Sequence, residues 1–199
     1  FYNIDITNKN ILEKVFKSHS IDTVFHLAAK LNISESQNDK FKYMHNNYNG
    51  TKNLVNLCKK YNIKNFIFAS SCSVYGSSDK KIKENKTLTP FSNYAKSKKK
   101  SENYIINKFS KSNIRYAILR YFNIVGANLK DRIGELSNND HVLKNFCKQV
   151  YQKNPVFKIY GSKYKTLSGT CIRDYLFIND LNFIHYKIFK LLNLKKKLD

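Results

Sequence analysis

The stretch Asn65-Phe66-Ile67-Phe68-Ala69-Ser70-Ser71-Cys72-Ser73-Val74-Tyr75-Gly76 decides how this 199-residue chain is read. Its first six residues form a short apolar run of strand type, and the small hydroxyl-bearing residues after them make a turn that ends at Gly76. On the amino-terminal side, residues 43–61 carry a helical period with Leu54, Val55, Leu57 and Cys58 as one apolar stripe. On the carboxyl-terminal side a second helical period covers 92–110. Beyond these helices lie two more strand-type runs, at 22–27 and 114–121. A further helix over 8–18 places Ile11, Leu12, Val15 and Phe16 on one face behind a Thr7 cap. Strands alternating with helices of this length predict an α/β fold built on a parallel sheet.

Past residue 123 the pattern loosens into long polar stretches, with helices expected over 140–152 and 181–192. We therefore expect a sheet domain over 1–122 and a smaller lobe over 123–199. Residues 77–86 read as a polar loop, and no internal repeat is visible.

Composition narrows the function. A 42% hydrophobic chain can fill a real core. The net charge is +22, from 36 Lys and Arg against 14 acids, and such a balance attracts polyanions. Yet only Arg115, Arg120, Arg132 and Arg173 are arginines, and the lysines are dispersed in short runs. Base-specific readers favour the bidentate guanidinium, so nucleic-acid binding is not expected as the primary role. Cys58, Cys72, Cys147 and Cys171 lack CxxC or metal-like spacing, which predicts reduced thiols, no metal and a cytoplasmic setting. No apolar run approaches the ~20 residues that span a bilayer.

In open parallel sheets, ligands bind beyond the carboxyl ends of the strands. That rule selects 26–30, 70–73, the start of the helix at 92, and 121–123, which should face one crevice. Tyr94 and Lys98 lie four apart on the predicted helix and so share a face. A nearby ammonium favours the phenolate, which lowers the phenol's pKa and suits it to exchange a proton with a substrate hydroxyl. Spacing alone proves little, because Tyr48/Lys52, Tyr104/Lys108 and Tyr186/Lys190 share it. Context distinguishes Tyr94, since the strand ending in Ser70-Ser71 lies just upstream and Ser71 can bond the same substrate oxygen.

Asn3-Ile4-Asp5-Ile6, His26-Leu27-Ala28-Ala29, Asn46-Asn47-Tyr48-Asn49-Gly50-Thr51, the Phe68–Gly76 run and Tyr94-Ala95-Lys96-Ser97-Lys98 follow one another in a familiar order and spacing. In these motifs the chain resembles the extended short-chain dehydrogenase/reductase family. Arg120-Tyr121-Phe122-Asn123-Ile124-Val125-Gly126-Ala127 and Arg173-Asp174-Tyr175 are similar to its UDP-glucose 4-epimerases. The resemblance implies a Rossmann-like parallel sheet flanked by helices, incomplete at the amino terminus, with part of a smaller substrate-binding lobe. It implies interconversion of UDP-glucose and UDP-galactose through a 4-keto sugar, with NAD as internal hydride carrier. Ser71, Tyr94 and Lys98 would be catalytic. Asp5, Ile6, Leu27, Ala28, Ala29, Asn46, Tyr94, Lys98 and Phe122 would contact NAD. Ser71, Tyr94, Asn123, Tyr160 and Arg173 would contact the UDP-sugar, and the protein would be a homodimer built through helices 43–61 and 92–110.

Plainer roles stand beside these: cap or turn residue for Asp5 and Asn46, core packing for Phe122 and Tyr160, a surface ion pair for Arg173. Another nucleotide-sugar epimerase, a decarboxylase, or a silent fold used for binding are the competing functions. Cys72 and Ser73 after Ser71 disfavour the 4,6-dehydratases, which carry an acid there. Leu31 stands where the epimerases often have Lys, and Phe177 where they often have His. The chain contains no GxxGxxG, whose backbone amides would hold the pyrophosphate. We therefore expect an internal piece of a longer protein, inactive by itself.

Overall fold

The computed structural model describes residues 1–78, 80–128, 130, 133, 134, 141–159 and 161–194. The chain divides into two compact units, one formed by Phe1–Tyr121 with the chain from His185 onward, the other by Phe122–Ile184. The last part of the chain, expected in the smaller lobe, groups with the first unit.

The first unit is a three-stranded parallel sheet in the order β1 (Thr23–His26), β2 (Asn65–Ser71), β3 (Arg115–Tyr121). The register pairs Val24 with Phe66 and Ser70 with Arg120. Each crossover is helical, as the alternating pattern predicts. β2 lies in the middle and is buried in all but its last residue, which explains its unbroken apolar run. Helices α1 (Lys9–Ser18), α4 (Gly50–Lys60) and α5 (Asn93–Phe109) cover one face. Their Leu12, Phe16, Leu54, Val55, Leu57, Cys58, Ile105 and Phe109 enclose Phe66 and Phe68 in one cluster. The residues of opposite strand parity meet α7 (Ile178–Leu194), where Phe25 packs on Phe189 and Asn65 donates to Asn193 Oδ1 at 2.9 Å.

Local chemistry sets the element ends. Asn8, rather than the expected Thr7, caps α1 by accepting from Ile11 N, and the Thr7 amide just before it donates to Asp5 Oδ1. α4 ends in a Schellman motif: Ile63 N bonds Cys58 O, Asn62 N bonds Lys59 O, and Asn62 takes the left-handed conformation (φ 51°) that Asn tolerates. Ser92 caps α5 by accepting from Ala95 N at 3.1 Å.

The helix expected over 43–61 is present but not uniform. After α2 (Ile33–Asn38), a short α3 (Lys40–Tyr43) runs through a π-helical turn over Met44–Asn49 into α4. Asn46, Asn47, Asn49 and Gly50 are poor helix formers, and a wider turn costs little there. It is held by side chains, since Asn47 O accepts from the hydroxyls of Thr51 (2.5 Å) and Ser101 (3.2 Å).

In the second unit, β4 (Asn123–Val125) pairs in parallel with β5 (Tyr175–Phe177), and α6 (Val142–Val150) buries no side chain. Gly126 adopts φ 106°, and a Cβ there would lie 2.3 Å from the Phe177 ring, so the close approach requires glycine.

Substitutions at two apolar positions test this core. Leu57→Ala, in the centre of the cluster, should cost about 2–5 kcal/mol in urea unfolding. Ile11→Ala, on the exposed face of α1, should cost less than about 0.5 kcal/mol.

Candidate functional site

Ser71 ends β2, and its hydroxyl caps the 3₁₀ turn Cys72–Tyr75. The Ser71 oxygen accepts from Ser73 N at 3.2 Å and from the Ser73 hydroxyl at 2.9 Å. Its own proton remains to be donated, and the Ser71 hydroxyl pulls the pKa of the nearby Tyr94 phenol down. Tyr94, only 7% exposed, sits in the first turn of α5 and faces this edge of the sheet.

One turn further along, Lys98 is 3% exposed. Its ammonium donates to Ala69 O at 2.6 Å and lies 4.8 Å from the Phe68 ring centre. The three other Tyr/Lys pairs of equal spacing behave differently. Lys52, Lys108 and Lys190 fold back over Tyr48, Tyr104 and Tyr186, at 5.5, 5.6 and 4.8 Å. Those are surface cation–π contacts, whereas Lys98 is drawn inward to the central strand.

Burial shapes the electrostatics. It pulls Lys98 down to about 8, with the Glu102 carboxylate opposing the change. The expected lowering of the Tyr94 phenol by its lysine does not occur. Desolvation raises it, against the pull of the Ser71 hydroxyl, and the Lys98 ammonium is directed at Ala69 O.

Asn47, which the sequence reading passed over, joins three segments. It accepts from Lys30 N at 2.8 Å, and its Nδ2 lies within bonding distance of Lys30 O and the Ser97 hydroxyl, both at 3.1 Å. It thus holds the chain after β1 against the turn of α5 that carries Lys98. The signal was available: a run of Asn residues and Gly50 inside an otherwise helical segment marks an interruption. Asn46 donates to Asn47 Oδ1 at 2.9 Å and so lies beside the same segment.

The remaining expected positions fall into two groups. In the first unit, Asp5 is exposed, and its Oδ1 accepts from Thr7 N at 2.7 Å, a bond that lowers its pKa. Ile6 packs beside Gly50, while Leu27 (57% exposed) and Ala28 leave apolar surface beyond β1, followed by the half-buried Ala29. In the second unit, Phe122 is partly exposed and Asn123 Nδ2 donates to Asp174 O at 3.0 Å. Arg173 donates to Ile172 O at 3.2 Å, and among the described residues no carboxylate pairs with it. Tyr160 lies outside the described residues. Among those described, no group of three His, Cys, Asp or Glu side chains could hold a metal, and no helix is long and apolar enough to cross a membrane.

A parallel sheet with Ser71, Tyr94 and Lys98 gathered at its carboxyl edge defines the Rossmann-like class of dinucleotide enzymes. Residues 1–197 match the NAD dependent epimerase/dehydratase family, and the chain belongs to it. It is 39% identical to a UDP-glucose 4-epimerase of Caenorhabditis elegans, over 95% of this chain and 56% of that protein. It is 34% identical to a putative UDP-arabinose 4-epimerase of Arabidopsis thaliana, over 94% of this chain and 46% of that protein. The crystal structure of UDP-glucose 4-epimerase from Brucella ovis in complex with NAD superposes with a TM-score of 0.90 at 31% identity, covering all of this chain and 62% of that one. The chain thus spans about half the length of the curated relatives it matches.

The first unit's residues fit NAD. Leu27 and Ala28 offer apolar surface for a planar ring, Asp5 offers an ionised acceptor, and Lys98 keeps two N–H groups beyond the one given to Ala69.

His26 makes the same edge acid-sensitive. Thr51 spends its proton on Asn47 O, so His26 Nε2 must donate to the Thr51 oxygen (2.8 Å), and Nδ1 is left without a partner. Burial first, and the Lys98 charge second, push its pKa down to about 3. Between about pH 6.5 and 3 the unfolded chain binds a proton that the folded one does not. Stability therefore falls as pH drops through that window, by about 1.4 kcal/mol per pH unit from this group. Urea unfolding between pH 7 and 5 should show this slope in the native protein and lose it in His26→Gln.

Proposed function

We propose that the protein is a UDP-sugar 4-epimerase that interconverts UDP-glucose and UDP-galactose, and that this chain carries its proton-transfer residues. The observation that carries the reading is the gathering of Ser71, the buried Tyr94 and the buried Lys98, whose ammonium donates to Ala69 O at 2.6 Å, at the carboxyl edge of β2. NAD, held along Leu27, Ala28, Asn46 and Lys98, would supply hydride transfer at the sugar C4.

Tyr94 accepts the proton of the sugar 4-hydroxyl and gives it back once the 4-keto sugar has turned over. Ser71, fixed by Ser73, orients the reacting oxygen with its one remaining proton. Burial works against the phenolate, so Tyr94 needs a positive neighbour, and Lys98 is the cation within one helical turn. Lys98 also has the donors to hold the nicotinamide ribose. Leu27, Ala28, Ala29 and Asn46 would line the cofactor, Asp5 and Ile6 would lie at its adenine end, and Phe122 would add a further contact. Asn123, Tyr160 and Arg173 are assigned to the nucleotide-sugar. A homodimer, a cytoplasmic location and a place in galactose metabolism belong to the same reading.

The similarity to a UDP-arabinose 4-epimerase favours a second substrate for the same chemistry. Both sugars invert at C4, so the assay must compare kcat/KM for UDP-galactose and UDP-arabinose.

In the whole protein, Tyr94→Phe should slow UDP-galactose conversion at least ~100-fold, the scale of general acid–base catalysis, with NAD content unchanged. Undiminished turnover would reject the mechanism.

A further inference from the structure

Four residues after Lys98, on the same face of α5, stands Glu102, a carboxylate with no solvent exposure. It is fully engaged. Arg120 on β3 donates to it from Nε at 3.1 and 3.3 Å and from Nη2 at 2.8 Å. The Ser70 hydroxyl donates to Oε1 as well. Arg120 is itself fixed, stacked 4.8 Å from the Tyr75 ring centre while its Nη1 donates to Tyr75 Oη (2.9 Å) and Glu84 O (3.1 Å). One carboxylate therefore joins the residue before Ser71, the turn after Ser71, the neighbouring strand and the helix that carries Tyr94 and Lys98.

We propose that Glu102, clamped by Arg120, is a positioning residue for Ser71, Tyr94 and Lys98, setting both the register of α5 on β2 and the charge balance at Lys98. This rests on the epimerase reading above. A buried ion pair by itself is weak support for stability, since hydrophobic replacements often do as well. Its placement distinguishes this one. Ser70 and Ser71 are adjacent, so holding the Ser70 hydroxyl on α5 fixes how far Ser71 lies from Tyr94 on the same helix.

The charge matters separately. The groups around Lys98 are Tyr94 and Glu102 on its own helix, His26 on β1 and, through Glu102, Arg120 on β3. Glu102 is the negative charge that opposes the burial of the ammonium. Without it, Lys98 loses its proton at lower pH, and Tyr94 loses its positive neighbour.

The test uses the whole protein with Glu102→Gln, and the double variant Glu102→Gln/Arg120→Gln in case an unpaired Arg120 prevents folding. Lys98 is titrated directly by NMR of isotopically labelled lysine side chains, assigned with Lys98→Met, and turnover is measured across pH. We expect Lys98 to lose about tenfold in proton affinity, and the alkaline limb of the kcat profile to move about one pH unit lower. At pH 8 kcat should fall roughly 10- to 100-fold, with KM for the UDP-sugar nearly unchanged, and Glu102→Asp should restore the Lys98 titration. A native Lys98 titration in a folded variant, or a loss of turnover equal at every pH, would overturn the proposal. If no form of the protein epimerises, native included, the functional reading falls, and the Lys98 titration alone decides the role of Glu102.

Discussion

Placing Tyr94, Lys98 and Glu102 on the buried face of one helix imposes a demand that much of the first unit serves. Each polar group removed from water needs a partner, and an unpaired buried charge costs far more than a neutral group. The partners come from separate segments: Ala69 O and the Ser70 hydroxyl from β2, and Arg120 from β3. Farther down the helix, Ser97 and Ser101 reach the π-helical turn through Asn47. The apolar cluster beneath, from Leu12 to Ile114, gives affinity between helices and sheet but little angular precision. The polar contacts supply the precision, and they converge on one edge.

That division explains what the sequence made legible. The β2 run, the α5 period and the parallel arrangement were readable because burial writes itself as apolar periodicity. Ser71, Tyr94 and Lys98 were readable only as a resemblance, since their spacing recurs three times on the surface. Asn47 and Glu102 were missed for a common reason: polar residues reveal burial only through partners distant in the chain. Glu102 nevertheless left a trace, because Tyr94, Lys98, Glu102, Ile105 and Phe109 run down one face of α5 and end in core. A charge on a stripe that is otherwise buried announces a paired charge elsewhere. The π-helical widening at 44–49 had a compositional signal too, in Asn46, Asn47, Asn49 and Gly50. The second unit was least legible, since its helix α6 buries no side chain and periodicity carries little information there.

The charge of +22 takes on a different meaning beside this site. Many lysines lie outside, and several rest on tyrosine rings: Lys52 and Lys108 on Tyr104, Lys100 on Tyr48. Such contacts let a cation cover aromatic surface while its head stays in water. Among the described residues Lys98 is the exception, nearly sealed from solvent and held by backbone. A lysine-rich background therefore hides it, and burial tells it from its neighbours.

Burial also sets the terms on which Tyr94 could act. It pushes the phenol up and the ammonium down, so each neutral form gains at the expense of its charged form. A phenolate becomes accessible only if positive charge is concentrated beside it, and Lys98 supplies that charge only while protonated. Its proton is retained against burial with the help of Glu102, and Glu102 remains in place through Arg120. The acid–base capacity of Tyr94 thus depends on a chain of charges of alternating sign, from Tyr94 through Lys98 and Glu102 to Arg120. Breaking the far end of that chain should be felt at the near end, although Arg120 touches neither the phenol nor the ammonium.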